Sequence, residues 1–417
     1  MDFKTFIKEH ENDDTSSLLL GRNKWPGIDM NLAASTILAR RKLSSKVPGW
    51  LDEYSLVFPS ALSAEQCSSA ATASYKASVA VSLAGRRCRE IADLTGGLGV
   101  DAVAFSKVSG KVLYNEMSES LAVAARHNFA LLGAGNIYVR SFRVEVDNVE
   151  EILEGCSPDI IYLDPARRSE SGSKVYRIED CSPDVAVLAP KLLTLCRFVM
   201  VKLSPMADIS MVARSLGHLK EIHVVGSAGE CKELLAVLDR EHEGEYRIIV
   251  AECGSGASVP VISFLPSEEA SSQLLPAGAE CLEGFSGDSP LCLFEPGSAL
   301  LKSGAFKLVC SRYGLGKMAV STHLYLAENV PEELVCFGKI FIVKEVHPMT
   351  KATLKEVERR YPRCEVTARN IKMTSEELRR RLGSDSGGAV HVFAAAVGST
   401  PRNFLFVTEK RSLHTRL

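Results

Sequence analysis

The chain has 417 residues, 46% hydrophobic and 24% charged, with a formal net charge of −2; that length suits roughly two to four globular domains with a real core. No stretch approaches the ~18 uninterrupted apolar residues of a membrane span, and MDFKTFIKEHENDD at the start lacks the apolar segment of a secretory signal, so no membrane association and a cytoplasmic location are expected. The 12 cysteines show no C-x-x-C and no zinc-site spacing, so buried reduced thiols and no metal are expected.

In chain order, residues 1–85 read as a helical N-terminal domain. DMNLAASTILARRKL carries apolar side chains at helical intervals and is broken by Pro48, Gly49 and Trp50. A second helix is expected over SAEQCSSAATASYKASVAVSLAG, with Ser63 as N-cap, Gln66 at capping-box spacing and Gly85 as the stop. Residues 86–266 alternate short β-rich runs with helical stretches, the pattern of a parallel α/β sheet. The expected strands are CREIADL, KVLYNEM, NIYVRS, DIIYLDP, FVMVKLS, EIHVVGS and YRIIVAE, the last forming a hairpin with PVISFLP. Helices are expected at SESLAVAARHNFALLG, capped by Ser118 and ended by Gly133, and at ADISMVARSLG. Residues 267–290 have the composition of a linker, and 291–335 form a small unit with ALLKSGAFKLVCSRYG as its helix. Residues 336–417 run strand–helix–strand–helix–strand–strand, an α+β layer. From Lys339 to the end, 16 Lys plus Arg face 8 Asp plus Glu, a net of +8 that leaves −10 for the rest. A basic module on an acidic body points to a polyanionic partner.

The chemistry starts at DLTGGLGVDA, Asp93 to Ala102. A strand-to-helix turn with small residues lets a nucleotide approach the backbone, and Gly97, Gly99 and Ala102 fit the dinucleotide fingerprint by spacing. Glu116 ends the next strand 19 residues after Gly97, placed to accept hydrogen bonds from ribose hydroxyls. These features alone leave a nicotinamide dinucleotide and S-adenosylmethionine (SAM) both open. Asp93 and Asp101 put carboxylates around the turn, unwelcome beside a pyrophosphate and an asset beside the cationic SAM. DIIYLDPARR then delivers Asp164 and Pro165 to a strand's C-terminal end, where open α/β sheets bind ligands. The balance favours SAM.

Together DLTGGLGVDA, YNEM, YLDPARR and VKLSPMADI resemble a class I SAM-dependent methyltransferase. The chain as a whole is similar to a bacterial group with a ferredoxin-like insert and a C-terminal THUMP-like domain; ARRKLSSKVPGW, GECKELL, FEPGSALLKSGAFKLV and STHLYLAE also fit it. The resemblance implies a Rossmann-like SAM methyltransferase core over 86–266, a ferredoxin-like unit over 291–335 and a THUMP-like domain over 336–417. It implies that Asp93, Thr95, Gly96, Gly97 and Gly99 hold the methionine end of SAM, Glu116 the ribose and Met117 the adenine. It also implies RNA, a tRNA or an rRNA, as substrate. Two departures stand out. YVRSFRVEVDN displaces Asp147 from the usual adenine-contacting acid, and Ala166 and Arg167 replace the Pro-aromatic pair that follows Asp-Pro in base N-methyltransferases.

The expected reaction is methylation of a base nitrogen in RNA, with the basic C-terminal module holding the RNA. Asp164 and the Pro165 carbonyl region would accept the amine N–H groups, and Arg167 would stack on the base. Arg168 and Lys174 would meet the phosphate backbone, and Lys202 and Ser204 would border the substrate pocket. His127 reads as structural, and Cys181 and Cys231 lack a neighbouring histidine in sequence. The alternatives are a small-molecule or protein SAM methyltransferase and a non-catalytic RNA-binding protein.

Overall fold

Aspartates open the first helices. Asp2, Asp14 and Asp29 accept first-turn backbone N–H groups of α1 (Phe3–Glu9), α2 (Thr15–Leu20) and α3 (Met30–Leu43), satisfying donors that a helix start leaves unpaired. Phe6, Ile7, Leu18, Met30, Ala33 and Ile37 pack between them. The long helix expected next is two helices, α4 (Ala61–Gln66) and α5 (Ala70–Ala84). Ser60 rather than Ser63 caps α4, and Ser69 and Thr72 form a capping box that restarts the chain after Cys67. Gly85 ends α5 with φ +65°, as its sequence position predicts.

A computed structural model describes residues 1–167, 178, 181–254, 258–278, 282, 285, 287 and 290–411. They fall into two units: Met1–Ser227 with Lys232–Tyr246 and Cys253–Val259, and Ala228–Cys231 with Arg247–Glu252 and Pro260–Leu417. The first unit is built on β1 (Cys88–Asp93), α6 (Val100–Val108), β2 (Ser109–Asn115), α7 (Glu119–Leu131), β3 (Ile137–Arg140), α8 (Val149–Ile152) and β4 (Ile160–Leu163). A two-stranded ribbon follows, β5 (Ala166–Arg167) against β6 (Cys181–Ser182). Then come α9 (Val185–Leu195), β7 (Phe198–Leu203), α10 (Ile209–Ser215), β8 (Leu219–Ser227) and β9 (Glu230–Asp239). The strand order is β3-β2-β1-β4-β7-β9-β8. β1, β2, β3, β4 and β7 run parallel, whereas β9 lies antiparallel to β7. The sheet is therefore not purely parallel. The order reverses at β1, where β2 lies on one side and β4 on the other, and that crevice is where such sheets hold ligands. Ser118 stands at the start of α7 without capping it.

In the second unit, β10 (Arg247–Cys253) and β11 (Val261–Phe264) form the expected hairpin. α11 (Pro266–Ser271) occupies the start of the stretch read as linker. The single helix expected near 300 is divided by Gly304 (φ +80°) into α12 (Ser298–Ser303) and α13 (Phe306–Tyr313). Around these run β12 (Cys292–Pro296), β13 (Gly316–Ala319) and β14 (Thr322–Ala327). β15 (Gly338–Pro348), α14 (Lys351–Arg360), β16 (Glu365–Arg369), α15 (Ser375–Leu382), β17 (Val390–Val397) and β18 (Arg402–Lys410) complete the chain in the order expected. One seven-stranded sheet, β13-β14-β12-β15-β18-β17-β16, joins β12 to β18. Leu354, Val357, Leu378 and Leu382 seat α14 and α15 on one face of it. Among the described residues, no helix is long and apolar enough to cross a membrane.

Candidate functional site

The glycines of the turn have different jobs. A Cβ on Gly96 would sit 2.0 Å from the Tyr114 ring, and one on Gly99 2.5 Å from Phe129; both glycines are there because rings from β2 and α7 pack against the turn. Gly99 also takes φ +83° as the residue before α6. Gly97, at φ +54°, faces open space. Its N–H donates to Glu116 Oε2 at 2.9 Å, and Tyr114 Oη donates to its carbonyl at 2.5 Å. The open floor that a ligand can approach is Gly97.

Three carboxylates meet this turn. Asp93 is 1% exposed at the end of β1. Its Oδ1 accepts the Thr95 N–H at 3.2 Å, and Oδ2 is buried with no hydrogen-bond partner. Burial, with Asp101, Asp164 and Glu116 adding repulsion, pushes its carboxyl well above the usual range. Glu116 is half-buried and receives the N–H groups of Gly97 and Ser118, which still leaves lone pairs for hydroxyl donors. Asp101, expected to face the ligand, turns inward instead. It is bound by Ser68 Oγ (2.9 Å), Tyr162 Oη (3.0 Å) and Lys76 Nζ (3.1 Å). Burial works against its charge, but Lys76 and then Lys202 outweigh it and hold the carboxyl below its ordinary value.

Met117, just past Glu116, is 65% exposed, an unpaired apolar side chain beside the acid. Asp147 is exposed on the segment after β3. That segment is fixed by Asn115, which donates to the carbonyls of Leu94 and Phe142 and accepts the Phe142 N–H, each at 3.0 Å. Phe142 is thereby held near the Glu116 end of β2, a placement nothing in the local sequence announces.

The ends of β4 and β7 adjoin the turn. Thr95 Oγ1 accepts the Asp164 backbone N–H at 2.5 Å, so the glycine turn and the Asp-Pro strand end are tied directly. Leu163 pairs with Val201 in parallel register, which brings the next residues, Asp164 and Lys202, side by side. Lys202 Nζ lies 2.6 Å from Asp164 Oδ2, with side chains 12% and 35% exposed. Burial disfavours the ammonium, but Asp164, Glu233 and Asp101 overcome it and the net shift is upward. Lys202, expected at the substrate border, is thus ion-paired with Asp164. Pro165 is buried and Ala166 exposed. Arg167 lies on β5 opposite Cys181, and Arg168 and Lys174 fall outside the described residues. Ser204 and Ala207 close a turn at Pro205, with Ser204 Oγ accepting the Met206 N–H. His127 binds the Ser55 carbonyl at 2.9 Å, a structural contact.

Behind this pair is a cluster that the sequence reading missed. Lys76 on α5 is fully buried and donates to Ser68 Oγ (2.8 Å) and Glu233 Oε1 (2.7 Å), besides its pairing with Asp101. Lys76 stands among buried Thr72, Ala73, Ala77 and Ala80, and a lone lysine on an apolar helix stripe was the available signal. Glu233 sits on β9, the strand not foreseen. Among the described residues, no group of three or more His, Cys, Asp or Glu is arranged to hold a metal ion.

The strand order, the open turn and the acidic strand ends define a Rossmann-like methyltransferase body. Family models match a ferredoxin-like domain at residues 293–334 and a THUMP-like domain at 338–410. A crystal structure of a candidate methyltransferase from Porphyromonas gingivalis W83 is 32% identical, covers 98% of each chain and superposes with a TM-score of 0.84. This chain belongs to that family, a methyltransferase body followed by ferredoxin-like and THUMP-like domains. TrmN from Thermus thermophilus is 14% identical over 40% of this chain and 48% of its own, with a TM-score of 0.30. The ribosomal protein L11 methylase from Lactobacillus delbrueckii subsp. bulgaricus is 17% identical over 41% and 79%, with a TM-score of 0.30. At that level of likeness the last two say nothing about this protein's substrate. No curated protein matches the chain.

Proposed function

We propose that the protein is a SAM-dependent methyltransferase acting on RNA. The observation that carries the SAM reading is the buried, unpartnered Oδ2 of Asp93 beside the open face of Gly97. An orphaned acid is costly there unless a cation meets it, and SAM brings an ammonium and a sulfonium where a dinucleotide brings phosphates. Asp93 and the Gly97 backbone would take the methionine end, Glu116 the ribose hydroxyls and Met117 the adenine face. When bound, SAM supplies a methyl group activated by positive sulfur.

The chain's own task is to align an acceptor and exclude water. Asp164, fixed through its backbone by Thr95 and through its side chain by Lys202, is the acceptor-side residue we assign to this task. The RNA reading is supported by the THUMP-like match and by the charge of that module. Lys351, Lys355, Arg359, Arg363, Lys372, Arg380 and Arg381 are all exposed on it, a surface suited to phosphates. Calorimetry with SAM and with NAD tests the first half: SAM binds and NAD does not. Filter binding of RNA across a salt series tests the second, with affinity falling steeply as salt rises. Absence of SAM binding, or RNA affinity indifferent to salt, refutes the respective half.

A further inference from the structure

Lys202 and Asp164 occupy adjacent register positions at the acceptor side of the site. Across the sheet, Lys202 pairs with Leu235 of the antiparallel β9. Two residues along β9, Glu233 projects from the same face as Leu235 and Lys202. Glu233 is 3% exposed and bound by the fully buried Lys76. Lys202–Asp164 and Lys76–Glu233 are thus two neighbouring ion pairs, with Asp101 bridging behind through Lys76. Only the Lys202–Asp164 pair keeps some exposure.

The charge of this pair selects among acceptors. A neutral amine or ring nitrogen gains positive charge as it takes a methyl group, and an ammonium alongside opposes that change. A hydroxyl oxygen loses a proton and gains negative charge, and the same ammonium favours it. Lys202 Nζ donates one hydrogen bond to Asp164 Oδ2, and among the described residues it has no second hydrogen-bond acceptor. Asp164 Oδ1 is left as an acceptor for a hydroxyl proton. A base-directed site also needs a flat surface on which the extruded base can stack, and the position after Asp164–Pro165 holds Ala166. A ribose hydroxyl needs no such surface, and the 2′-OH is the hydroxyl group that distinguishes RNA.

We propose, resting on the RNA methyltransferase reading above, that the methyl acceptor is the ribose 2′-hydroxyl of RNA. Asp164 and Lys202 act on that oxygen, and Lys76 and Glu233 position Lys202. The oxygen–methyl bond forms as the sulfur–methyl bond breaks, the bonding pair stays on sulfur as a neutral thioether, and the hydroxyl proton passes to Asp164 Oδ1 and on to water. Lys202 holds the oxygen's developing negative charge. Lys76 fixes Glu233 in place, and Glu233 in turn keeps Lys202 from being drawn wholly onto Asp164.

The test uses the full chain, methyl-labelled SAM and total RNA from cells lacking the gene, with the product digested to nucleosides for mass spectrometry. Label in 2′-O-methylnucleosides, and in dinucleotides that survive alkali, is the expected result. Label in a base-methylated nucleoside overturns this proposal and leaves the RNA reading standing. SAM binding with no label in any RNA overturns both. Lys202→Met should slow transfer at least 100-fold while the Kd for SAM, which also reports folding, moves less than threefold. Lys202→Arg, which keeps the cation, should restore part of the rate. Glu233→Gln should move the midpoint of the pH–rate profile rather than only lower its plateau. A Lys202→Met enzyme of undiminished rate refutes the role given to Lys202.

Discussion

Replacing Lys76 by methionine removes the cation at the centre of the first unit. The ammonium donates to Ser68 Oγ and Glu233 Oε1 at 2.8 and 2.7 Å and lies 3.1 Å from Asp101 Oδ1, and the Lys76, Glu233 and Asp101 side chains are 0%, 4% and 10% exposed. Breaking a buried pair on one side leaves uncompensated charge and costs about 3–5 kcal/mol. For a unit of this size, that lowers the melting temperature by about 6–20 °C. The pH dependence fixes the cause. The Asp101 carboxyl is held below its ordinary value of 3.8, so its contribution is present above that value and is lost as pH falls through the lower, folded one. The gap between wild type and Lys76→Met should be full at neutral pH and narrow towards pH 3, as the Asp101 carboxylate becomes neutral. A triple variant adding Asp101→Asn and Glu233→Gln should recover much of the loss at pH 7. Thermal and denaturant unfolding followed by circular dichroism would check this. A loss below about 1 kcal/mol, or one that does not depend on pH, refutes the argument.

The glycines should separate by role: Gly99→Ala combines φ +83° with a ring at 2.5 Å and should cost about 2–5 kcal/mol in unfolding. Gly97→Ala, strained only by φ +54°, should cost about 1–2 kcal/mol yet weaken SAM binding at least tenfold by calorimetry. Because the Asp93 carboxyl is raised, its stabilising neutral form is fully present below about 3.8 and lost as pH rises through the folded value. Asp93→Asn should therefore stabilise the protein at neutral pH while weakening SAM binding. Wild type should also release a proton on binding SAM, measured by calorimetry in two buffers of different ionisation enthalpy. Thr95→Val removes the acceptor of the Asp164 amide, a loss of about 1–3 kcal/mol; kcat should fall about tenfold or more with the Kd for SAM little changed.

The half of the candidate site around the glycine turn was legible because it is local. A strand, the glycine turn holding Gly97 and a helix lie within residues 88–108, and Asp93, Glu116 and Asp164 each stand at the end of a strand whose apolar run is plain. The half behind it was not. Lys76, Asp101 and Glu233 are far apart in the chain and meet only because α5 packs beside α6 and β9 enters the sheet. β9 itself hides in ECKELLAVLD, where Leu and Ala suit a helix as well as a strand. Helix restarts were missed where a second serine, Ser69, offered a better cap than the first. Asp101 was misjudged because sequence distance to the turn says nothing of which way a first-turn side chain points.

Pairing of β12 with β15 from Cys292–Ile342 to Pro296–Gly338 runs straight across the boundary between the two matched C-terminal domains. Separating them would strip a full row of backbone N–H and C=O groups from each side and create two sticky edges. Gene rearrangements that shuffle one of these modules without the other would yield aggregating products. They can be expected to travel through evolution as a single heritable block.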